Sequence, residues 1–170
     1  MRAGTSRTGR SREHASEPGP TLSRTVEAPA EAVWQTLTDG WLYATWVVGA
    51  SRIRAVDADW PQAGARLHHS IGLWPALIND TTTVERVSPP QDLVLTARGW
   101  PAGEAHVHLS IRPLDEGRCE VTMTEDAVSG PVTLIPGRLR HLLLAPRNRE
   151  TLLRLALLAE GRHRAGTGEA

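Results

Sequence analysis

Two ionisable residues stand among apolar neighbours at strand spacing. In Ala65–Leu73, the residues Ala65, Leu67, His69, Ile71 and Leu73 alternate with Arg66, His68, Ser70 and Gly72. In Arg118–Asp126, the residues Cys119, Val121, Met123 and Glu125 alternate with Glu120, Thr122, Thr124 and Asp126. A period of two puts His69 and Glu125 on the buried faces of their strands and His68 on an exposed one. Burial raises the pKa of a carboxyl and lowers that of an imidazole, which gives a cavity proton-transfer groups near neutral pH. With Tyr43 or Arg24 as a hydrogen-bonding partner, His69 and Glu125 could serve as acid and base in the enolisation and dehydration of a polyketone. The competing reading puts one or both at a strand end, in contact with water.

Other chemistry-bearing residues are weaker signals. His106 and His108 share one strand face about 7 Å apart, within reach of one metal ion if a third ligand were near. They share that face with Ser110 and Arg112, so solvated histidines are expected and no metal site is. The arginines Arg138, Arg140, Arg147, Arg149, Arg154, Arg162 and Arg164 make the C-terminal part locally basic. Glu150 and Glu160 are interleaved with them, which fits a solvated helix face better than a nucleic-acid surface. Cys119, the single cysteine, lies between apolar neighbours and reads as a small buried hydrophobe.

Six of the seven aromatic residues are Trp and none is Phe. Trp34, Trp41, Trp46, Trp60, Trp74 and Trp100 offer large flat surfaces with one N–H each, suited either to a pocket for a ring-containing or acyl ligand or to ordinary core filling. Trp34, Trp46 and Trp74 are the pocket candidates, the last two because they fall at the small helices and at a strand end.

The elements that must position these groups follow from periodicity. Thr21–Ala28 alternates as a strand and brings Arg24 to the apolar side. Pro29–Thr38 reads as a helix with Val33, Trp34 and Leu37 on one face, and Gly40–Val47 as a second short helix. Strands are expected at Ser51–Val56, Ala65–Leu73, Ile78–Val87, Asp92–Arg98, Ala105–Arg112 and Arg118–Asp126. The faces of Ile78–Val87 are too alike to assign an inner one. Ile135–Arg162 is the longest helical pattern, with a kink or break expected at Leu144–Pro146, a main helix from about Arg147 to Glu160 and Gly161 as its C-cap. One strand, two short helices, six strands and a long helix favour an α+β fold with an antiparallel meander of about seven strands. In that arrangement Leu67, Leu95, Val107, Leu109, Val121 and Met123 face the long helix. Leu152, Leu155, Ala156 and Ala159 face back, the two alanines leaving room for a ligand, and Leu139, Leu142 and Leu143 fall at one end as candidate lids.

At 170 residues the chain forms one domain able to bury roughly two thirds of its unfolded surface. Arg residues and acidic residues number 19 each, so net charge gives no general reason to expect nucleic acid or an anionic membrane. A lone cysteine rules out an intramolecular disulfide and fits a reducing cytoplasm, and no apolar run approaches the ~18 residues of a membrane span. Residues 1–20 and 163–170 are expected to be disordered tails around a domain at 21–162.

Four stretches carry a family resemblance: SRTVEAPAEAVWQTLTDGWLYATWV, TTTVERVSPPQDLVLTARG, CEVTMTEDAVSGP and RNRETLLRLALLAEG. Together they resemble the START-like (SRPBCC) superfamily, specifically its bacterial polyketide cyclase/dehydrase-like branch. The resemblance implies a helix-grip fold, a curved antiparallel sheet wrapped around a C-terminal helix, with an apolar tunnel between them. No cofactor is expected, and no catalytic residue is carried over from the family. The leading expectation is a monomeric or homodimeric protein that binds a lipid, polyketide or aromatic metabolite. A cyclase or dehydratase using His69 and Glu125 stands second, and a protein-interaction module with a vestigial cavity third.

Overall fold

The computed structural model describes residues 21–99 and 103–168. The expected N-terminal tail, Trp100 and the last two residues lie outside the described residues. Seven strands form one curved sheet in which every neighbouring pair is antiparallel: β1 (Thr21–Val26), β2 (Ala50–Val56), β3 (Arg66–Leu73), β4 (Ala76–Ser88), β5 (Asp92–Gly99), β6 (Gly103–Pro113) and β7 (Cys119–Ser129). Their order is β1-β7-β6-β5-β4-β3-β2, a meander from β2 to β7 closed by β1 on the outer side of β7. Between β1 and β2 lie α1 (Ala30–Thr38), a turn of 3-10 helix (Gly40–Leu42) and α2 (Tyr43–Trp46). The long helix α3 (Gly137–Thr167) follows β7 after a second 3-10 turn.

Alternation of apolar and polar residues sets the inner face of most strands, as a half-buried sheet requires. Leu93 and Leu95 of β5, Val107, Leu109 and Ile111 of β6, and Cys119, Val121 and Met123 of β7 are buried in register. In β4, whose faces look alike in sequence, the inner residues are Asp80, Thr82 and Val84. A register shift after Val84 marks a bulge that increases the local bend. Gly103 opens β6 at φ +123°, and any Cβ there would collide with the Ser129 carbonyl of β7, so only glycine lets the two strands approach at this point.

Three expectations change. Arg24 is exposed: β1 is an edge strand, where Val26 is buried, Leu22 is partly covered and the remaining residues face solvent. The long helix is continuous from Gly137 to Thr167, with Pro146 inside it, and it ends at Gly168 in the left-handed conformation rather than at Gly161. Pro146 and Leu142 are both exposed, so the carbonyl that the proline ring leaves unpaired lies on the solvent side, where water can satisfy it. Residues 163–167, expected in a tail, are the helix's last turns.

The C-terminal half of α3 is held to the closed end of the fold. Glu160 accepts a hydrogen bond from the Glu27 backbone N–H at 3.0 Å, and Arg162 pairs with Asp39 at 3.2 Å. Leu152, Leu155, Ala156 and Ala159 are buried there, in one cluster with Val26, Val33 and Leu37 from β1 and α1.

Candidate functional site

A cavity of about 450 Å3 lies between the sheet and the first half of α3. Sequence creates it directly. Ala97 of β5 pairs with Ala105 of β6, and Ala105 pairs with Ala127 of β7, so three alanines stand side by side across the inner face. One level deeper, Leu95, Val107 and Glu125 are in register, and below them Leu93, Leu109 and Met123 fill the interior. Replacing large side chains by methyl groups over three adjacent strands leaves a hollow that the helix alone does not fill. Ile71, Val47, Val48 and Leu144 complete much of the apolar wall.

Buried polar groups end the hollow on two sides. On one, Glu125 sits almost wholly out of water on β7. Arg147 of α3 donates from Nη2 to both Glu125 carboxylate oxygens at 2.8 Å, and its Nε donates to Asn148 Oδ1 at 3.2 Å. On the other side, Tyr43 Oη and His69 Nε2 meet at one hydroxyl, Thr82 Oγ1, at 3.1 and 3.0 Å. The Tyr43 ring lies 5.4 Å from the His69 imidazole and packs edge-on against Trp46 at 5.2 Å. Among the described residues, His69 Nδ1 and Trp46 Nε1 are buried without a hydrogen-bond partner, so two polar atoms of cavity residues carry an unmet bonding capacity.

Desolvation dominates the electrostatics here. Burial pushes the His69 pKa below its usual 6.5, reinforced by Arg54 and His68 and opposed by Asp80. Burial likewise raises the Tyr43 phenol, despite its Thr82 hydrogen bond and the nearby Arg147. Both groups are therefore uncharged at neutral pH. Because the folded state favours neutral His69, the unfolded chain binds more protons just below pH 6.5. Stability from this group is complete above about pH 6.5 and is lost as pH falls toward the depressed folded value. Denaturant titrations between pH 7.5 and 5 should show that decline in the parent chain, and His69→Gln should flatten it.

The sequence-derived candidates divide into three sets. His69, Glu125, Trp46, Leu95, Val107 and Met123 line the cavity. Trp34, Leu67, Leu109, Val121, Leu152, Leu155, Ala156 and Ala159 are buried in the core and stand outside the cavity wall. Ala156 and Ala159 are buried in one cluster with Val26 of β1 and Val33 and Leu37 of α1, away from the cavity wall. Trp74 is 85% exposed at the β3–β4 hairpin, where a strand end that opens to solvent gives the indole nothing to pack against. The candidate lids Leu139, Leu142 and Leu143 are also exposed.

Arg147 was grouped by sequence with the solvated arginines of the helix. The spacing Arg147, Thr151, Leu155, Ala159 is i, i+4, i+8, i+12, which puts Arg147 on the buried face and could have revealed it. Thr151, on the same line, accepts a hydrogen bond from the Val48 N–H at 3.2 Å and so fixes the α2–β2 turn against the helix. The paired histidines of β6 each meet a carboxylate: His106 pairs with Glu85 at 3.1 Å, both exposed, and His108 with Asp92 at 2.7 Å, both partly buried. Among the described residues no group of three metal-binding side chains converges. Cys119 is buried, and desolvation lifts its thiol pKa to about 11, which makes it a poor nucleophile.

The family described as polyketide cyclase/dehydrase and lipid transport matches residues 20–160, nearly the whole fold. The chain belongs to that family. Solved structures agree on the architecture. Zhui aromatase/cyclase from Streptomyces sp. R1128 is 19% identical and superposes with a TM-score of 0.66, covering 86% of this chain and 96% of its own. A START superfamily protein from Mycobacterium smegmatis is 18% identical, with a TM-score of 0.59 over 88% of this chain and 99% of its own. A conserved protein from Geobacillus kaustophilus is 16% identical, with a TM-score of 0.65 over 84% and 95%. At such identities the likeness is one of fold. No curated protein matches significantly in sequence. The helix-grip architecture is thus that of the family, and no helix among the described residues is long and apolar enough to cross a membrane.

Proposed function

We propose that this family member binds a hydrophobic small molecule, a lipid, polyketide or aromatic metabolite, in the cavity between the sheet and α3. The observation that carries this reading is the alanine-lined hollow of about 450 Å3, apolar over most of its wall and bounded by a few buried polar groups. That combination of size and lining is typical of small-molecule sites, where apolar surface supplies affinity and sparse polar groups fix orientation. Family membership supports the same reading. Titration with Nile red, an uncharged apolar dye, should give saturable one-site fluorescence enhancement, accompanied by a change in Trp emission from Trp46 in the wall. Absence of saturable dye binding would sink the proposal.

The alternative of a cyclase or dehydratase draws on His69, an uncharged imidazole beside the cavity with one nitrogen unpartnered among the described residues. Its weakness is the second partner. Both Glu125 oxygens are already occupied by Arg147, and three strands separate β7 from β3 in the sheet. A binder retains most of its dye affinity in His69→Gln and turns over nothing. An enzyme would cyclise a poly-β-ketone thioester and lose that turnover in the same variant.

A further inference from the structure

The charges on the cavity wall come in cancelling pairs. Among the described residues, four charged ones line it, Arg98, Glu104, Glu125 and Arg147. Arg98 Nε reaches Glu104 Oε1 at 2.7 Å at the exposed rim, and the half-buried Arg147 binds both oxygens of the buried Glu125 at 2.8 Å. The remaining titratable groups of the wall, His69 and Tyr43, are held uncharged by burial.

An arginine at the side of an apolar cavity would by itself be a receptor for carboxylates, because its fork donates two parallel charge-assisted hydrogen bonds. Here Nη2 is committed to Glu125 and Nε to Asn148, which leaves Nη1 as the nitrogen without a partner among the described residues. A ligand carboxylate approaching Nη1 would surrender its hydration while the Glu125 carboxylate, itself buried and weakly screened, repels it. A carbonyl, hydroxyl or phenol oxygen accepts from Nη1 without that repulsion and with a much smaller desolvation cost. A cationic ligand gains nothing either, since Glu125 is already neutralised.

We infer that the cavity selects an uncharged ligand, an apolar body with a ketone-, alcohol- or phenol-type polar end, and that Glu125 determines this specificity by masking Arg147. The inference rests on the binding function proposed above and names the class of molecule that fills the site.

Three probes of equal chain length separate the possibilities: 1-decanol, decanoate and decyltrimethylammonium, each displacing Nile red at pH 8. The full chain should bind decanol about tenfold or more tighter than either ion, the scale of penalty expected when a charge enters a desolvated site already occupied by its like. Glu125→Gln unmasks the guanidinium, and the ratio of decanoate to decanol affinity should rise about tenfold. In Glu125→Gln/Arg147→Gln the gain for decanoate should vanish, which separates the unmasked charge from a general loosening of the wall. Equal affinity of the parent chain for decanol and decanoate would overturn the selectivity and leave the binding function standing. An unchanged decanoate-to-decanol ratio in Glu125→Gln would overturn the role of Glu125. If neither the dye nor any probe binds the parent chain, both readings fall together. The comparison of three probes on the parent chain does not depend on either variant folding.

Discussion

Ala105→Trp should lower Nile red affinity about 100-fold or more while the protein stays folded, because a site of this kind owes its affinity to enclosing most of the ligand surface. Ala105 is the middle of the alanine row, in register with Ala97 on one side and Ala127 on the other. Its Cβ is within about 5.5 Å of theirs, so a large side chain there has no route except into the hollow. Large substitutions normally strain a close-packed interior. This one enters empty space, so apolar burial compensates for lost rotamer freedom and the thermal midpoint should hold or rise. Fluorescence titration and a thermal melt on the same preparation decide it. Binding retained at full strength in Ala105→Trp would place the dye somewhere other than this cavity.

Leu109→Ala should do the opposite, costing about 2–5 kcal/mol of stability by removing buried methyl groups and leaving a hole the sheet cannot collapse around. Leu109 is fully buried on β6 between Leu93 and Met123. A loss of that size is a large fraction of a domain's total, which runs to roughly 5–15 kcal/mol. Urea unfolding measures it, with Leu142→Ala as the control. Leu142 is 70% exposed on α3, and its truncation should stay within about 0.5 kcal/mol. At a urea-free temperature where Leu109→Ala remains folded, dye affinity should be close to that of the parent, since Leu109 supports the cavity floor without forming its wall.

These contrasting outcomes for two residues four positions apart show which information a sequence carries. Strand faces were readable in β3 and β7 because apolar and polar residues alternate there, so His69 and Glu125 could be placed inward. β4 resisted for a physical reason: its inner residues Asp80 and Thr82 are polar, tied to neighbouring strands and to His69 and Tyr43, so hydrophobicity does not mark the face. The part of the helix that borders the cavity was equally hard to read. Small residues at the helix, Ala156 and Ala159, suggested free space, yet a small residue permits either close approach or a void. Only the pairing register tells which, and register is a long-range property. The alanines of the helix are buried in one cluster with residues of α1 and β1, whereas those of β5, β6 and β7 line up across the sheet and border the cavity.

Arg147 and Trp74 illustrate the two ways a single side chain misleads. Arg147 follows a proline and belongs to an arginine-rich run, so composition favoured solvent, although helical spacing placed it with Thr151 and Leu155. Trp74 is the type of residue expected in a pocket, but it lies in the two-residue turn between β3 and β4, beyond the last inner position. The helix running through Pro146 shows tertiary contact outweighing local propensity. A mid-helix proline costs ~3 kcal/mol or more in isolation, while Leu152, Leu155 and Ala159 anchor the helix downstream and the freed carbonyl faces water.

The central claim is that the alanine-lined hollow takes up an apolar small molecule. Native mass spectrometry of the freshly purified chain, run in parallel with Ala105→Trp, tests it most directly. The account predicts an adduct of a few hundred daltons, or uptake of one equivalent of added 1-decanol, on the parent chain and its absence on the variant. Adduct-free parent chain that also refuses decanol, or equal occupancy in both proteins, would contradict it.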